Sequence, residues 1–391
     1  MKKIRIGLLP RIIIAIILGI AAGMISPDLP VRIFVTFNEI FSQFLGFIIP
    51  LIIVGLVTPA IANIGKGAGK MLVVTVLLAY GATLISGFLS YGVGESIFPR
   101  LIDNNIPLSE ISEAQGIKPF FSIPIPEPLN IMTALVLAFT VGLGIAHLET
   151  DYLKNVCNDF QLIIVKTIQK VILPLLPVYI FGIFFNMTHS GQVFHILLIF
   201  IKIIGVIFLL HIFLLVFQYS IAALFVHKNP FRLLGRMMPA YFTALGTQSS
   251  AATIPVTLKQ TIKNGVDEGI AGFVIPLCAT IHLSGSTMKI VACALALMMI
   301  QGIPYNFQMM AGFIFMLGIT MVAAPGVPGG AIMAALGILS SILGFDDNAQ
   351  ALMIALYIAM DSFGTACNVT GDGALALMIN KWFSKAPISK K

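Results

Sequence analysis

Residues Met360 to Ile379 read MDSFGTACNVTGDGALALMI, a stretch that is long and apolar enough to span a bilayer although several of its side chains are polar. It contains two carboxylates, Asp361 and Asp372, together with Asn368 and several hydroxyl groups. A carboxylate in hydrocarbon costs about 3 kcal/mol on insertion scales, so it persists mainly where it meets a cation, a polar substrate or a water-filled cavity. The stretch therefore predicts an ion-coupled transport site within a membrane.

The composition of the whole chain is typical of a membrane protein. Of its 391 residues, 58% are hydrophobic and only 10% are charged, and the mean hydropathy is +1.01. Soluble domains carry about 25% charged residues. At least seven apolar segments reach the roughly 20 residues that are needed to cross a bilayer. We expect one all-α polytopic membrane domain over residues 1–391, and not an enzyme.

Membrane orientation explains the formal net charge of +7, because the basic residues form no aromatic-interleaved face of the kind that binds nucleic acid. Basic groups at Lys2–Arg11, Lys228–Arg236 and Lys381–Lys391 predict that both termini lie in the cytoplasm. The loop from Phe98 to Leu129 is proline-rich and carries Glu110, Glu113 and Glu127, so it should lie outside. Short loops elsewhere suit a bacterial inner (plasma) membrane.

The chain divides into two unequal halves. The first predicts six ordinary spans, at about 10–27, 38–63, 70–97, 130–148, 162–187 and 193–226. From Met237 onward the apolar helices are interrupted by TALGTQSSAATIPVT (Thr243–Thr257) and AAPGVPGGA (Ala323–Ala331). The backbone N–H and C=O groups of such interruptions must find hydrogen-bond partners in the protein or in a water-filled cavity. A pair of interruptions, each followed by a full span, predicts two re-entrant hairpins; the alternative is a proline or glycine kink in each helix.

Four motifs of the second half occur in the order SSAATIPVT (Ser249–Thr257), CATIHLSGST (Cys278–Thr287), AAPGVPGG (Ala323–Gly330) and NVTGDG (Asn368–Gly373). In this respect the chain resembles the dicarboxylate/amino acid:cation symporter family, the glutamate transporter homologues. The resemblance implies eight transmembrane helices plus two re-entrant helical hairpins in a homotrimer surrounded by membrane lipid. The hairpins would lie at about Met237–Lys259 and 308–344, and the seventh and eighth spans at about 270–300 and 350–380.

The same resemblance implies an elevator mechanism, in which a mobile transport domain crosses the membrane against a fixed scaffold. The transport elements would be residues 70–97 and 237–380. The scaffold and trimer contacts would come from residues 10–63 and parts of 130–226.

The resemblance also implies a site that binds the amine and the carboxylate of an amino acid. Asp361 stands seven residues before Asn368, as does the family aspartate that binds the substrate amine. Thr365 and Asn368 occupy positions that contact the amine and the carboxylate. The tip of hairpin two would close the site, because free amides suit a carboxylate. The expected substrate-binding residues are Gln248, Ser249, Ser250, Gly326, Val327, Gly329, Asp361, Gly364, Thr365 and Asn368.

The expected substrate is a neutral amino acid. Family members that carry acidic substrates place an arginine three residues after the aspartate or in the tip of hairpin one, where this chain has Gly364 and Gln248. No arginine follows Arg236, so the bidentate fork for a second carboxylate is missing. Gly364 would leave open volume in place of the guanidinium.

The expected coupling ion is Na⁺, in smaller number than in acidic-substrate relatives. The family motif NMDGT corresponds here to His282–Ser286, in which Ser284 replaces the aspartate that anchors one sodium. A second site remains, with Asp372 and Asn368 as its principal ligands. Backbone carbonyls near Thr280 and His282, where the seventh span would be unwound, could complete this site. The expected cation-binding residues are thus Thr280, His282, Ser284, Asn368 and Asp372. No other cofactor is expected.

Two basic side chains leave alternatives open. His282 can titrate near neutral pH, which would allow proton coupling, or it can be a hydrogen-bonded core residue. Lys289, inside the seventh span, can replace a lost cation as a fixed charge, contact an acidic amino acid or dicarboxylate, or extend to the membrane interface.

Two other classes of protein fit the residues less well. An intramembrane aspartyl protease also uses two aspartates, but eleven residues on one helix separate Asp361 from Asp372 by about 16 Å, too far to share a proton. A passive channel would need a continuous polar lining, whereas polarity here converges on the hairpins and the eighth span.

Overall fold

The computed structural model describes residues 8–65, 70–102, 117–191, 193–324 and 328–384. Within these ranges every regular element is a helix, and no strand occurs. The prediction of an all-α fold is confirmed. The basic groups Lys2–Arg5 and Lys385–Lys391 and the acidic residues Glu110 and Glu113 lie outside the described residues, so the orientation of the chain stays a prediction.

The first half contains seven helices within the described ranges. A short π-helical turn at Ile168–Ile172 joins α5 to α6 without a break. The helices are α1 (Leu8–Gly23), α2 (Asp28–Gly65), α3 (Lys70–Leu101), α4 (Ile131–His147), α5 (Tyr152–Thr167), α6 (Leu173–His189) and α7 (Val193–Val226). The predicted loop beginning at Phe98 is wrong at its start, because α3 continues to Leu101. Pro99 lies in the last turn of α3, so the one helical hydrogen bond that it removes is close to the end of the helix.

The second half consists of shorter helices with defined starts. Asn or Asp side chains cap four of them, and Ser249 caps a fifth, each accepting a hydrogen bond from a backbone amide of the first turn. The helices are α8 (Pro230–Thr247), α9 (Ser250–Lys263), α10 (Glu268–Ile281), α11 (Ser284–Gln301), α12 (Phe307–Val322), α13 (Gly330–Leu343), α14 (Asp347–Ala359) and α15 (Asp361–Phe383).

The two interruptions found in the sequence lie between paired helices. Helices α8 and α9 pack against each other and are joined by Gln248 and Ser249, so hairpin one spans Pro230–Lys263, more than the predicted Met237–Lys259. Helices α12 and α13 also pack together, over Phe307–Leu343. A kink in a single continuous helix is therefore the wrong description at both places. The re-entrant course of the hairpins stays a prediction.

Five helical segments are long and apolar enough to cross a membrane, among the described residues. A sixth is obtained if α14 and α15, which are bent by 61° at Met360, count as one span. The five segments are Asp28–Ala62, Lys70–Leu101, Tyr152–His189, Ile199–Val226 and Glu268–Gln301. The predicted total of eight spans is neither reached nor contradicted by this criterion.

The helices pack in two groups. In the first, α1 packs against α6, and α2 packs against α4, α5 and α6. In the second, α15 is surrounded by α7, α8, α9, α10 and α11, while α3 packs against α11 and α12. Contacts between the groups involve α13 with α2 and α14 with α1 and α6. Helix α7, which the sequence placed in the range of the scaffold elements, thus packs against α15.

Glycines allow α15 to approach its neighbours closely. A Cβ atom on Gly371 would lie 2.5 Å from Gln218 Oε1 and 2.8 Å from His282 Cε1. A Cβ atom on Gly285 of α11 would lie 2.8 Å from the carbonyl oxygen of Gly364. Small residues at helix contacts are typical of membrane proteins, and here they allow α7 and α11 to pack closely against α15.

Candidate functional site

Asp361 occupies the bend between α14 and α15, and it is buried. Its Oδ1 accepts a hydrogen bond from Lys289 Nζ at 3.0 Å, and its Oδ2 accepts one from the backbone amide of Gly329 at 2.8 Å. Gly329 precedes α13 in a left-handed conformation with φ of 73°, which glycine adopts without strain. The carboxylate therefore joins the tip of hairpin two to α11.

Lys289 is completely buried in α11. Besides Asp361, its ammonium lies 3.4 Å from the carbonyl oxygen of Tyr357 and 3.4 Å from the centroid of the Tyr357 ring. An ammonium donates three hydrogen bonds, and an aromatic face attracts it further. The alternative in which Lys289 extends to the membrane interface is wrong, because the side chain is enclosed by protein and paired with a carboxylate.

The space beside Gly364 contains Lys289. A Cβ atom on Gly364 would lie 2.8 Å from Lys289 Nζ and 2.9 Å from Cε. The prediction that Gly364 leaves open volume is therefore wrong, because the end of the Lys289 side chain, from a neighbouring helix, lies directly against Gly364.

Thr365 and Asn368 follow Asp361 on α15, and both are buried. Asn368 Oδ1 accepts hydrogen bonds from the amides of Gly285 at 2.8 Å and Ser286 at 3.2 Å, and its Nδ2 donates to Ser286 Oγ at 3.0 Å. The Asn368 amide thus caps the first turn of α11. Its expected contacts with substrate and cation stay predictions.

The tip of hairpin one reaches the same end of α15. Gln248 has a left-handed backbone with φ of 54°, and its Nε2 donates to Ser362 Oγ at 2.9 Å. Ser249 Oγ accepts from the amide of Ala252 at 3.3 Å, and Ser250, the first residue of α9, is buried. Both hairpin tips therefore contact the first two residues of α15. Of the expected substrate-binding residues, Gly326 and Val327 lie outside the described residues.

A second cluster lies at the break between α10 and α11. His282 and Asp372 are both buried, and His282 Nδ1 lies 2.8 Å from Asp372 Oδ1. When Asp372 is ionised it only accepts hydrogen bonds, and Nδ1 then carries the proton of this pair. Gln218 of α7 lies beside it, with Nε2 3.5 Å from His282 Nε2 and donating to Ser284 Oγ at 3.2 Å.

The structure brings together part of the expected cation-binding set. His282 and Asp372 are in contact, and Gln218 connects them to Ser284. Thr280 is exposed, and its hydroxyl donates to the carbonyl oxygen of Leu277 at 2.8 Å. The predicted contribution of Thr280 was through its backbone carbonyl, which these contacts leave as a prediction.

Three further polar residues line this region, and sequence reasoning missed them. Gln218 and His211 both lie on α7, and His211 Nε2 is 3.0 Å from the carbonyl oxygen of Gly285. Tyr357 donates from its hydroxyl to Ser286 Oγ at 3.1 Å. The available signal was a histidine and a glutamine seven residues apart with only apolar residues between them, which places both on one helical face.

Comparison with known proteins agrees with these features. The serine/threonine transporter SstT of Acinetobacter baylyi is 26% identical over an alignment of 400 residues that covers 97% of this chain and 98% of the relative. A protein of the same name from Acinetobacter baumannii is 27% identical over 383 residues, covering 94% of this chain and 95% of the relative. The model of the sodium:dicarboxylate symporter family matches residues 8–382. The resemblance carried by the four motifs is thus confirmed: the chain belongs to the sodium:dicarboxylate symporter family and is an integral membrane transporter, not an enzyme.

Proposed function

We propose that this protein is a secondary active symporter that moves a neutral amino acid, with Na⁺ as the coupling ion. One observation carries the proposal: a buried carboxylate, Asp361, binds an ammonium group on one oxygen and the tip of hairpin two on the other. A site that holds the ammonium of Lys289 has the charge and hydrogen-bonding geometry that the α-amine of an amino acid requires. Asp361 is accordingly the amine-binding residue.

The substrate carboxylate would lie toward the hairpin tips. Ser250 begins α9, and Gly329 precedes α13, so two helix N-termini lie close to the start of α15. Backbone amides at helix N-termini favour an anion. Thr365, one turn beyond Asp361, would orient the bound amino acid.

A neutral side chain fits best because, among the described residues around Asp361, the one ammonium group is held by both Asp361 and Tyr357 and no guanidinium accompanies it. Lys289 is the one basic side chain of α11, and it is already paired with Asp361. The relatives are named serine/threonine transporters, so serine and threonine are the first substrates to test. An acidic amino acid or a dicarboxylate would need the Lys289 ammonium to contact its second carboxylate.

Na⁺ is proposed at Asp372. The carboxylate is buried in α15 next to the break between α10 and α11, where backbone carbonyls are released from helical hydrogen bonding. A specific contact favours H⁺ as a second candidate: His282 Nδ1 occupies one oxygen of Asp372 at 2.8 Å. In that case the imidazole would carry the coupling proton.

We further propose a homotrimer in the cell inner membrane that works as an elevator. The packing supports two bodies, with α1, α2, α4, α5 and α6 as scaffold and α3 with α7 to α15 as the transport domain. Helix α7 is assigned to the transport domain because it packs along α15 and contributes His211 and Gln218 to the site.

Proteoliposome uptake tests the proposal. Purified protein is supplied with labelled L-serine, L-threonine, L-alanine, L-aspartate or L-glutamate, under a Na⁺ gradient or a pH gradient imposed separately. We expect saturable uptake of a neutral amino acid that the Na⁺ gradient drives. Uptake that only a pH gradient drives would favour His282 as the coupling group, and transport of acidic substrates alone would contradict the neutral assignment. A steady current without substrate exchange would indicate a passive channel.

A further inference from the structure

We propose that Lys289 is an internal substitute for the substrate amine, which occupies Asp361 when the transporter is empty and so allows the empty site to close. This inference rests on the proposed function, in which Asp361 binds the amine of the transported amino acid. It assigns Lys289 as a positioning residue of the transport cycle rather than as a contact for the substrate.

The first argument is the bridge through Asp361. One carboxylate oxygen accepts from Lys289 Nζ at 3.0 Å, and the other accepts from the Gly329 amide at 2.8 Å. The ion pair therefore neutralises the charge of Asp361 while the tip of hairpin two is in contact with it. Without a cation, closing the tip over Asp361 would bury an uncompensated carboxylate, which is strongly unfavourable.

The second argument is that a glycine, Gly364, lies beside the Lys289 ammonium. Gly364 lacks the Cβ atom that would lie 2.8 Å from Nζ. Any other residue at this position would force the ammonium to shift. Gly364 and Lys289 are thus complementary in shape.

The third argument is that the Lys289 ammonium has a second binding partner, Tyr357. The carbonyl oxygen and the ring of Tyr357 both lie 3.4 Å from Nζ. When a substrate amine takes Asp361 Oδ1, Lys289 can remain bound to Tyr357 after a small rotation of its flexible side chain. Because the amino acid enters as a zwitterion, its carboxylate balances the second ammonium and the net charge of the closed site is unchanged.

A consequence for the transport cycle follows. Net uptake requires the empty transport domain to return across the membrane, whereas exchange of internal for external substrate does not. Removal of the Lys289 ammonium leaves Asp361 without a cation only in the empty state, because the substrate amine still neutralises it in the loaded state. Loss of Lys289 should therefore impair net uptake much more than exchange.

The experiment compares Lys289→Met with the wild type in proteoliposomes, using labelled L-serine as the probe. Net uptake is measured in vesicles without internal amino acid, and exchange is measured in vesicles loaded with unlabelled L-serine. We expect the ratio of net uptake to exchange to fall about tenfold or more, since breaking a buried ion pair from one side is strongly destabilising. Lys202→Met is the matched control, because Lys202 is an exposed lysine of α7, and its ratio should equal that of the wild type.

Two further measurements isolate the role of the ammonium. In Lys289→Ala, ethylammonium added on both sides of the membrane should restore net uptake, whereas tetramethylammonium, which cannot donate a hydrogen bond, should not. In Gly364→Ala the lysine is retained but its Nζ must move, so the ratio should fall in the same direction. This variant also decides the question if Lys289→Met does not fold.

An unchanged ratio in the folded Lys289→Met protein, or in Gly364→Ala where Lys289→Met is unfolded, would overturn the proposal. Equal loss of exchange and net uptake in a protein of unchanged thermal stability would also overturn it, because Lys289 would then contact the substrate. Absence of amino-acid exchange in the wild type would instead contradict the proposed function, on which this inference depends.

Discussion

His282 Nδ1 lies 2.8 Å from Asp372 Oδ1, where the seventh span is broken between α10 and α11. Seven residues further along, Lys289 makes the equivalent contact with Asp361. Both carboxylates of α15 are therefore paired with a basic side chain from the same broken span. Because buried charges are stable only when they are paired, the proposed substrate amine and coupling ion would have to compete with these groups of the protein.

Asp361→Asn is expected to abolish both net uptake and exchange of L-serine. The amide cannot neutralise the substrate amine, and it leaves the Lys289 ammonium buried without a counter-charge. Asp28→Asn serves as the control, because the Asp28 side chain is 83% exposed. Transport and oligomeric state are measured together, so that loss of assembly is distinguished from loss of the site. Undiminished exchange by Asp361→Asn would refute the assigned role.

The substrate amine should be indispensable. Glycerate has the carboxylate and hydroxyl groups of serine, with a hydroxyl in place of the amine, and cannot supply the positive charge that Asp361 requires once Lys289 is displaced. We expect glycerate at a concentration equal to that of L-serine to leave labelled L-serine exchange nearly unchanged, since a missing charged hydrogen bond costs about 1.5–3 kcal/mol, a loss of affinity of about 10- to 150-fold. Strong inhibition by glycerate would mean that Lys289 stays on Asp361 during binding.

Asp372→Asn is expected to remove the stabilisation of the purified protein by Na⁺. A cation that prefers oxygen ligands loses its charged partner, while the amide can still accept a hydrogen bond from His282. The measurement is the unfolding temperature in detergent as a function of NaCl, with choline chloride at equal ionic strength as the reference. Na⁺ stabilisation equal to that of the wild type would place the ion elsewhere, with Asp372 serving only as the partner of His282.

Asn368→Leu is expected to lower stability as well as transport. The side chain accepts from the amides of Gly285 and Ser286 at the start of α11. Buried donors that lose their acceptor cost about 1–3 kcal/mol each. The unfolding temperature should therefore fall along with L-serine exchange. If exchange disappears while the unfolding temperature is unchanged, Asn368 is a substrate ligand and not a cap of α11.

The two hairpins were predictable because the interruptions that define them are local properties of the chain. Glycine, proline, serine and threonine at Thr243–Thr257 and Ala323–Ala331 interrupt apolar helices, and helices do end there. The bend at Met360 has no such signal, since neither proline nor glycine occupies it or its immediate neighbours. On its two sides the packing differs: α14 contacts α1, α6 and α13, α15 contacts α7 to α10, and both contact α11.

The basic partners of the two aspartates were visible in the sequence, but their pairing was not. Whether Lys289 faces Asp361, Tyr357 or lipid depends on the rotation of α11 relative to α14 and α15, which spacing along one helix does not determine. The same limit explains the error at Gly364. The sequence shows that position 364 carries no arginine, but not that Lys289, 75 positions earlier in the chain (364 − 289 = 75), lies against it.

Gly371→Ala tests whether close packing of α15 against α7 holds the second cluster together. The added methyl group would lie 2.5 Å from Gln218 Oε1 and 2.8 Å from His282 Cε1, so at least one of these buried side chains must move. Overpacking of this kind costs about 1–3 kcal/mol, and displacement of His282 should also change the Na⁺ dependence of transport. Gly312→Ala is the control, because its Cβ would meet no atom within 4 Å and alanine favours a helix. The unfolding temperature should fall for Gly371→Ala and hold or rise for Gly312→Ala; equal values for both variants would mean that α7 and α15 are less closely packed than described.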